Sequence, residues 1–413
     1  MRFEDYNIRT ELKRGIAKMG LVKPTDIQFK AIPNILNGED VLAIAQTGTG
    51  KTAAFAIPLI SMLSRKIRRE RGDGVRAIVM APTHELALQI TEVINKIARY
   101  TSVSCLCLHG GVEQDPQIDQ LQKGVEILVC TPGRLFDLNH QGYINLKRCE
   151  ILILDEADHM LDRGFKKDIE DLIRFLPQKR QTLFFSATIN PEIKNLAYSL
   201  VSNPIRIQIS PKDPISKNVD HAVCYIEMDD KRFFLERFYK EHKDKKILTF
   251  VRTKVRAERV VKAMERAEIK SVSLHGDKDQ KSRTEALNSF KTGAVNLLIA
   301  TDVSARGIDI EGVDFVINYD LPDQAENYVH RIGRTGRGRA RGQAISFCSE
   351  HERELLKLIE EYIYQPVREL SLEKAEYLVT IDLAVGNSKR LDDLLGEIEN
   401  LEEFRRKKKK SRK

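Results

Sequence analysis

The stretch Ala45–Gln46–Thr47–Gly48–Thr49–Gly50–Lys51–Thr52 follows the apolar run Val41–Leu42–Ala43–Ile44 and precedes the helical pattern Ala53–Ala54–Phe55–Ala56–Ile57. A strand that runs through a glycine loop into a helix is the setting of a phosphate-binding loop. Glycines let the backbone curl so that successive N–H groups face one anion. The positive end of the helix dipole adds to the same field. Lys51 is placed to reach the β- and γ-phosphates of a nucleotide, and the Thr52 hydroxyl to ligate Mg²⁺. The generic pattern begins with Gly where this chain has Ala45. The segment Gly48-x-Gly50-x-x-Ala53 also fits a dinucleotide fingerprint, with Asp73 twenty residues beyond Ala53. But Asp73 lies in the polar segment Arg71–Gly72–Asp73–Gly74 rather than at a strand end. A triphosphate site needs Lys51–Thr52 and a dinucleotide site does not, so the phosphate loop is the better reading.

Five further apolar runs end in polar clusters. Ala77–Ile78–Val79–Met80 leads into Pro82–Thr83–His84–Glu85, Ser104–Cys105–Leu106–Cys107–Leu108 into His109–Gly110–Gly111, and Ile127–Leu128–Val129–Cys130 into Thr131–Pro132–Gly133–Arg134. Ile151–Leu152–Ile153–Leu154 leads into Asp155–Glu156–Ala157–Asp158, and Thr182–Leu183–Phe184–Phe185 into Ser186–Ala187–Thr188. Short continuous apolar strands alternating with helices predict a parallel sheet covered on both faces. Ligands of such sheets sit at the carboxyl ends of the strands, where these clusters converge. A carboxylate ending a buried strand beside a phosphate loop suits Mg²⁺, which fits Asp155. Its neighbour Glu156 is then placed to orient or deprotonate an attacking water. Upstream, Pro24–Thr25 starts and caps a helix that carries Gln28, whose amide suits a purine edge.

The pattern restarts after residues 203–220, which hold Pro204, Pro211 and Pro214 and few large apolar residues; they read as a joint between domains. Lys246–Ile247–Leu248–Thr249–Phe250–Val251, Val272–Ser273–Leu274, Val295–Asn296–Leu297–Leu298–Ile299–Ala300 and Phe315–Val316–Ile317 predict a second sheet of similar build without a phosphate loop. In its place stands His330–Arg331–Ile332–Gly333–Arg334–Thr335–Gly336–Arg337. If Tyr328 to Arg334 is helical, Arg331 and Arg334 share a face, suited to a phosphate held by the other domain. The expected organisation is a prelude at 1–30, a nucleotide domain at 31–205, a linker at 206–220 and a second α/β domain at 221–370. A helical extension follows at 371–404, with Leu391, Leu394, Leu395, Ile398 and Leu401 at helical spacing, then a basic tail at 405–413.

At 413 residues and 42% hydrophobic composition the chain suits two soluble domains. No apolar run is long enough to span a bilayer, and Met1–Arg2–Phe3–Glu4–Asp5 lacks the apolar core of a signal peptide. Cys105, Cys107, Cys130, Cys149, Cys224 and Cys348 form no CxxC pair, so reduced thiols in a cytoplasmic protein are expected. The net charge of +8 belongs to the tail: Arg405–Lys413 holds eight Lys/Arg, and the rest of the chain carries 60 bases against 60 acids.

Together the motifs resemble the DEAD-box family of ATP-dependent RNA helicases in helicase superfamily 2, over roughly residues 1–365; the compact body resembles the bacterial RhlE-like subgroup. Asp155–Glu156–Ala157–Asp158 is the family signature, and Ala45 fits the helicase form of the loop. The resemblance implies two RecA-like domains, each a mainly parallel sheet with helices on both faces, that close around ATP, Mg²⁺ and single-stranded RNA. It implies that Gln28 reads adenine and Phe3 stacks on it, that Ala45, Gln46, Thr47, Gly48, Thr49, Gly50, Lys51 and Thr52 hold the phosphates and metal, and that Asp309 meets the ribose. By the same resemblance, Asp155 holds the metal, Glu156 activates water, and Arg334 and Arg337 are arginine fingers. Asp158, Ser186, Thr188 and His330 couple hydrolysis to strand separation. Pro82, Gly110, Gly111, Thr131 and Arg134 in the first domain, and Arg252, Gly276, Thr301 and Asp302 in the second, contact RNA. His84 stands where the family usually has Arg, and Leu21 replaces an aromatic residue after Gly20. The implied partners are RNA, independent of sequence, and ribonucleoprotein or ribosome-assembly particles, met by a monomer with no membrane association. An ATP-gated RNA clamp fits the same motifs as duplex separation. A DNA translocase of the superfamily is disfavoured by the literal signature and by Gln28.

A basic tail anchors phosphate backbones without reading sequence. Deleting residues 405–413 is therefore expected to weaken RNA binding and flatten its salt dependence in a titration across ionic strengths. An unchanged slope would leave the tail a solubility feature.

Overall fold

The computed structural model describes residues 1–46, 48–64, 74–209, 215, 218–305, 310, 312–336 and 341–385. They form two units, divided between Ile209 and Ile215. In the first unit the strands are β1 (Val41–Ala45), β2 (Ala77–Met80), β3 (Cys105–Leu108), β4 (Ile127–Cys130), β5 (Ile151–Leu154), β6 (Gln181–Ser186) and β7 (Ile205–Ile209). They pair in the order β3-β4-β2-β5-β6-β1-β7, and every pairing is parallel. The five interior strands are buried at every residue, while β3 and β7 at the edges are not. That is the burial a sheet with helices on both faces imposes. Successive side chains alternate faces: Val41, Ala43 and Ala45 join one apolar core, and Leu42 and Ile44 the other.

The second unit repeats the plan with β8 (Val219–Tyr225), β9 (Ile247–Phe250), β10 (Ser271–Leu274), β11 (Leu297–Ala300), β12 (Phe315–Asn318), β13 (Gly342–Cys348) and β14 (Arg368–Glu369). Their order is β10-β11-β9-β12-β13-β8-β14, again with parallel pairings. Two tandem parallel α/β units are the expected fold class.

Several expected boundaries need correction. The prelude is no appendage: Phe3, Tyr6, Ile8, Leu12 and Ile16 are members of the first unit's core, and a break at residue 30 would cut the helix Asp26–Leu36. The linker is shorter than 206–220, because β7 pairs with β1 through Ile209 and β8 begins at Val219. Within the extension, a helix spans Lys374–Val385 and docks on the helix Lys231–Glu241. There Tyr377 packs against Phe234 with tilted rings 4.9 Å apart, and Arg237 donates to Glu376 and Thr380 at 2.7 Å each. The leucine-patterned stretch from Leu391 and the basic tail lie outside the described residues. All six cysteines are free.

The helix Thr10–Lys18 crosses the helix His84–Ala98 at Gly15, where a Cβ would stand 2.1 Å from the Ile97 carbonyl oxygen. Backbone cannot yield as a side chain does. Gly15→Ala is expected to destabilise the first unit by about 1–3 kcal/mol in chemical unfolding. A wild-type midpoint would show that the two helices are not in fixed contact.

Candidate functional site

In the first unit, the loop between β1 and the helix Lys51–Ser64 is shaped by Gly48 and Gly50, at φ of 80° and 92°, values that favour glycine. At Gly50 a Cβ would also lie 2.4 Å from Gln28 Nε2. Gln28 is held there by its helix cap. The Thr25 N–H donates to Gln28 Oε1 at 2.9 Å, and Gln28 Nε2 donates to the Gly50 carbonyl at 3.1 Å. Gln28 is 3% exposed and ties the helix cap to the loop, with one end of its amide on each. A purine edge would meet the remaining N–H and lone pair. Phe3, expected to stack on adenine, is 3% exposed and packs beside Tyr6 with ring centroids 6.1 Å apart. Its ring is a member of the first unit's apolar core. It anchors the segment instead, its N–H donating to the Val22 carbonyl at 3.3 Å.

Ala45 ends β1, and Thr49 Oγ1 donates to the Gln46 carbonyl at 2.8 Å; Thr47 is outside the described residues. The first helical hydrogen bond runs from Ala54 N–H to the Gly50 carbonyl. The N–H groups before it are the orphan donors of a helix start. Lys51 is 6% exposed, and among the described residues its Nζ has no hydrogen-bond partner. A buried ammonium without an acceptor is costly, and an anion in the glycine loop would supply one. The loop, the orphan donors and this ammonium fit a polyphosphate.

Asp155 continues β5, its N–H donating to the Met80 carbonyl at 3.0 Å. Burial pushes its carboxyl up to about 6, against the pull of the Lys51 ammonium and with the Glu156 charge adding to the push. A cation beside it would offset that cost. With the half-buried Thr52, this donor set of one hydroxyl and one carboxylate fits Mg²⁺, which keeps most of its waters. Glu156 has φ 52° and ψ 51°, a conformation held only where the surroundings impose it. It turns the chain from β5 into the helix Ala157–Asp162, and its Oε2 lies 3.6 Å from His159 Nδ1. Asp158 ties this turn to the end of β6. Its Oδ2 accepts from the Ala187 and Thr188 N–H groups at 3.0 Å each, and from Thr188 Oγ1 at 3.3 Å. The adjacent Ser186 Oγ is buried without a hydrogen-bond partner.

The neighbouring strands β2, β3 and β4 deliver Pro82, Gly110 with Gly111, and Thr131 to one edge of the sheet. Arg134 joins them: its Nη2 donates to the Val112 carbonyl at 2.8 Å, and its Nη1 is buried without a partner. His84 lies at this edge with its ring 5.2 Å from that of His109.

In the second unit β10, β11 and β9 are neighbours and deliver Gly276, Thr301 with Asp302, and Arg252 to one edge. Asp302 is engaged by Arg331 at two points, 2.5 and 2.7 Å. Arg331 is 1% exposed and also donates to the Asp320 carbonyl at 2.6 Å. The expectation that Arg331 and Arg334 share a face of one helix is corrected. The helix Ala325–Ile332 stops before Gly333, and Arg331 is a core residue. Arg334 is 4% exposed, its Nε donating to the His330 carbonyl at 3.3 Å. Asp309 and Arg337 are outside the described residues. The sequence reading missed the structural role of Arg331 and the buried partners of Arg252, because periodicity carries no signal for which arginine turns inward.

The family model "DEAD/DEAH box helicase" matches residues 25–196, and "Helicase conserved C-terminal domain" matches residues 230–339. The chain is 38% identical over 360 residues to the DEAD-box ATP-dependent RNA helicase RhpA of Helicobacter pylori, covering 87% of this chain and 72% of that protein. It is 40% identical over 361 residues to the DEAD-box ATP-dependent RNA helicase CshA of Bacillus subtilis, with the same coverage of 87% and 72%. Among solved structures, S. cerevisiae Dbp5 bound to RNA and ADP BeF3 superposes with a TM-score of 0.80 at 30% identity, over 95% of this chain and 99% of that one. Mss116 bound to ssRNA and UDP-BeF also gives 0.80, at 27% identity, over 92% and 82%. A parallel-sheet unit with a glycine loop, a buried Asp155–Glu156 pair and a second unit of like build is thus matched along nearly its whole length, and the chain belongs to the DEAD-box family of ATP-dependent RNA helicases.

Proposed function

We propose that the first unit hydrolyses ATP, and that the cycle of ATP binding and hydrolysis closes and reopens the two units on single-stranded RNA. The output is local separation of short duplexes or remodelling of RNA–protein complexes. The observation that carries this reading is the buried, unpartnered Lys51 ammonium in a glycine loop next to Asp155. Lys51 and the loop N–H groups hold the phosphates, and Gln28 meets the adenine edge while bracing Gly50. Thr52 and Asp155 would hold Mg²⁺, which would supply positive charge to neutralise that developing on the phosphates. Glu156 orients the attacking water and accepts its proton. Arg334 and Arg337 of the second unit stabilise the charge on the transferred phosphoryl group, and Asp309 meets the ribose.

Asp158 is bonded to the segment carrying Ser186 and Thr188. A shift at the carboxylate turn on hydrolysis would therefore move that segment, with His330 its counterpart in the second unit. Pro82, Gly110, Gly111, Thr131 and Arg134, with Arg252, Gly276, Thr301 and Asp302, grip the RNA backbone without reading bases. The RNA and nucleotide analogue held by the Dbp5 and Mss116 relatives support this assignment. We further propose that the protein acts in the cytoplasm as a monomer, on RNA alone or in ribonucleoprotein particles, including assembling ribosomes. No helix among the described residues is long and apolar enough to cross a membrane.

Glu156→Gln removes the proton acceptor but keeps the fold. It is expected to bind ATP and RNA as the wild type does and to lower kcat by about 10²–10⁴-fold. Turnover at the normal rate would refute the role of Glu156. Asp158→Asn weakens three hydrogen bonds to one charged oxygen. It is expected to destabilise the first unit by about 1.5–3 kcal/mol and to lower the number of duplexes separated per ATP consumed. Unchanged coupling in a strand-displacement assay run beside an ATPase assay would detach Asp158 from that role.

A further inference from the structure

Glu352 is 1% exposed and takes no part in the chemistry above, yet five donors converge on it. Its Oε1 accepts from Arg252 Nη2 at 3.2 Å and from the Leu321 N–H at 3.0 Å. Its Oε2 accepts from Lys231 Nζ at 2.5 Å and from Ser349 N–H and Oγ at 3.1 and 2.9 Å. These groups come from the start of the helix Lys231–Glu241, the ends of β9 and β12, and the turn after β13. Burial alone would raise the Glu352 carboxyl, but the Lys231 ammonium and the Ser349 donors hold it below the usual range. It is an anion at the crossing of four segments.

Arg252 is the one member of this cluster that reaches solvent, its side chain 35% exposed. Its Nε lies 3.0 Å from Asp323 Oδ1, its Nη2 also donates to the Leu321 carbonyl at 3.2 Å, and its main-chain N–H donates to Asp320 Oδ2 at 3.1 Å. The guanidinium is thus clamped along one edge, with donors left over for a phosphate. A long arginine otherwise loses rotamer freedom when it binds, and a clamp of this kind removes that loss in advance.

We propose that Glu352 is the positioning residue that fixes Arg252 for the RNA backbone, with Lys231 neutralising Glu352 from beneath. The inference rests on the reading of Arg252 as an RNA contact. Lys231 is fully buried and lies 3.8 Å from Asp320 as well, so the cluster holds its charges in place from below, and of the groups bonded to Glu352 only Arg252 faces outward.

The test is a double-mutant cycle read by binding of fluorescein-labelled oligouridylate in the presence of a non-hydrolysable ATP analogue. Arg252→Gln is expected to weaken RNA binding about tenfold. Glu352→Gln is expected to weaken it by about threefold to tenfold and to leave the affinity for the analogue unchanged. The double variant should bind no worse than Arg252→Gln alone, since Glu352 acts through Arg252. Losses that multiply would overturn the proposal while leaving Arg252 as an RNA contact. Wild-type affinity in Arg252→Gln would remove that reading and the inference with it. Because Glu352→Gln strands a buried ammonium, Lys231→Met/Glu352→Gln is the control. It should recover the thermal midpoint without recovering RNA affinity. Recovery of both would show that Glu352 only stabilises the fold.

Discussion

A buried ammonium without an acceptor is a penalty of several kcal/mol, and the first unit is organised to maintain one. Lys51 sits at the first position of a helix that follows a fully buried strand, so the polypeptide has little freedom to carry it to water. Gly48 and Gly50 supply the backbone conformations that the loop needs. Gln28, itself fixed by the Thr25 cap, closes against Gly50 from the side. Asp155 is buried close enough for its titration to feel the Lys51 charge, but burial outweighs that attraction. Cation and carboxylate are held near each other without satisfying each other. Such an arrangement has a use when a polyphosphate and a divalent cation arrive together, each meeting the group of opposite charge.

The second unit solves the same electrostatic problem in the opposite way. Several of its buried charges are paired: Arg331 with Asp302 at two points, Lys231 with Glu352, and Asp320 with the half-buried Arg256 at 2.9 Å. Pairs of this kind contribute little net stability compared with apolar packing, but they fix geometry. Asp302 follows β11 and Arg252 follows β9, neighbouring strands of the sheet. A unit that must grip a flexible backbone without reading its sequence benefits from fixed donors more than from additional ones. The first unit is chemically unsatisfied and the second geometrically rigid, which is the division expected when one performs hydrolysis and the other supplies a phosphate grip.

Much of this was legible in the residues. Ala77–Met80, Ile127–Cys130 and Ile151–Leu154 are short, continuous and apolar, and each is a buried interior strand. The polar clusters that follow them lie at the carboxyl edge because parallel strands all point one way. β7, β8, β13 and β14 were not anticipated, because edge or mixed strands such as Ile205–Arg206–Ile207–Gln208–Ile209 alternate instead of running apolar. The family resemblance points to Phe3 as an adenine-stacking aromatic but does not say which way it faces, and the ring belongs to the core. Arg331 and Arg334 were paired on the assumption that the helix continues through Gly333; it stops, and only the inner arginine remains on it. The tie between Asp158 and Thr188 spans thirty residues and follows from β5 lying beside β6, a fact of topology with no local signature.

The central claim is that the Lys51–Asp155–Glu156 site is an ATPase whose activity answers to RNA. Steady-state ATP hydrolysis with Mg²⁺, measured without nucleic acid, with single-stranded RNA and with DNA of matching sequence, tests it most directly. The predicted result is a slow basal rate that rises severalfold with RNA and scarcely with DNA. A rate indifferent to RNA, or raised equally by DNA, would contradict it.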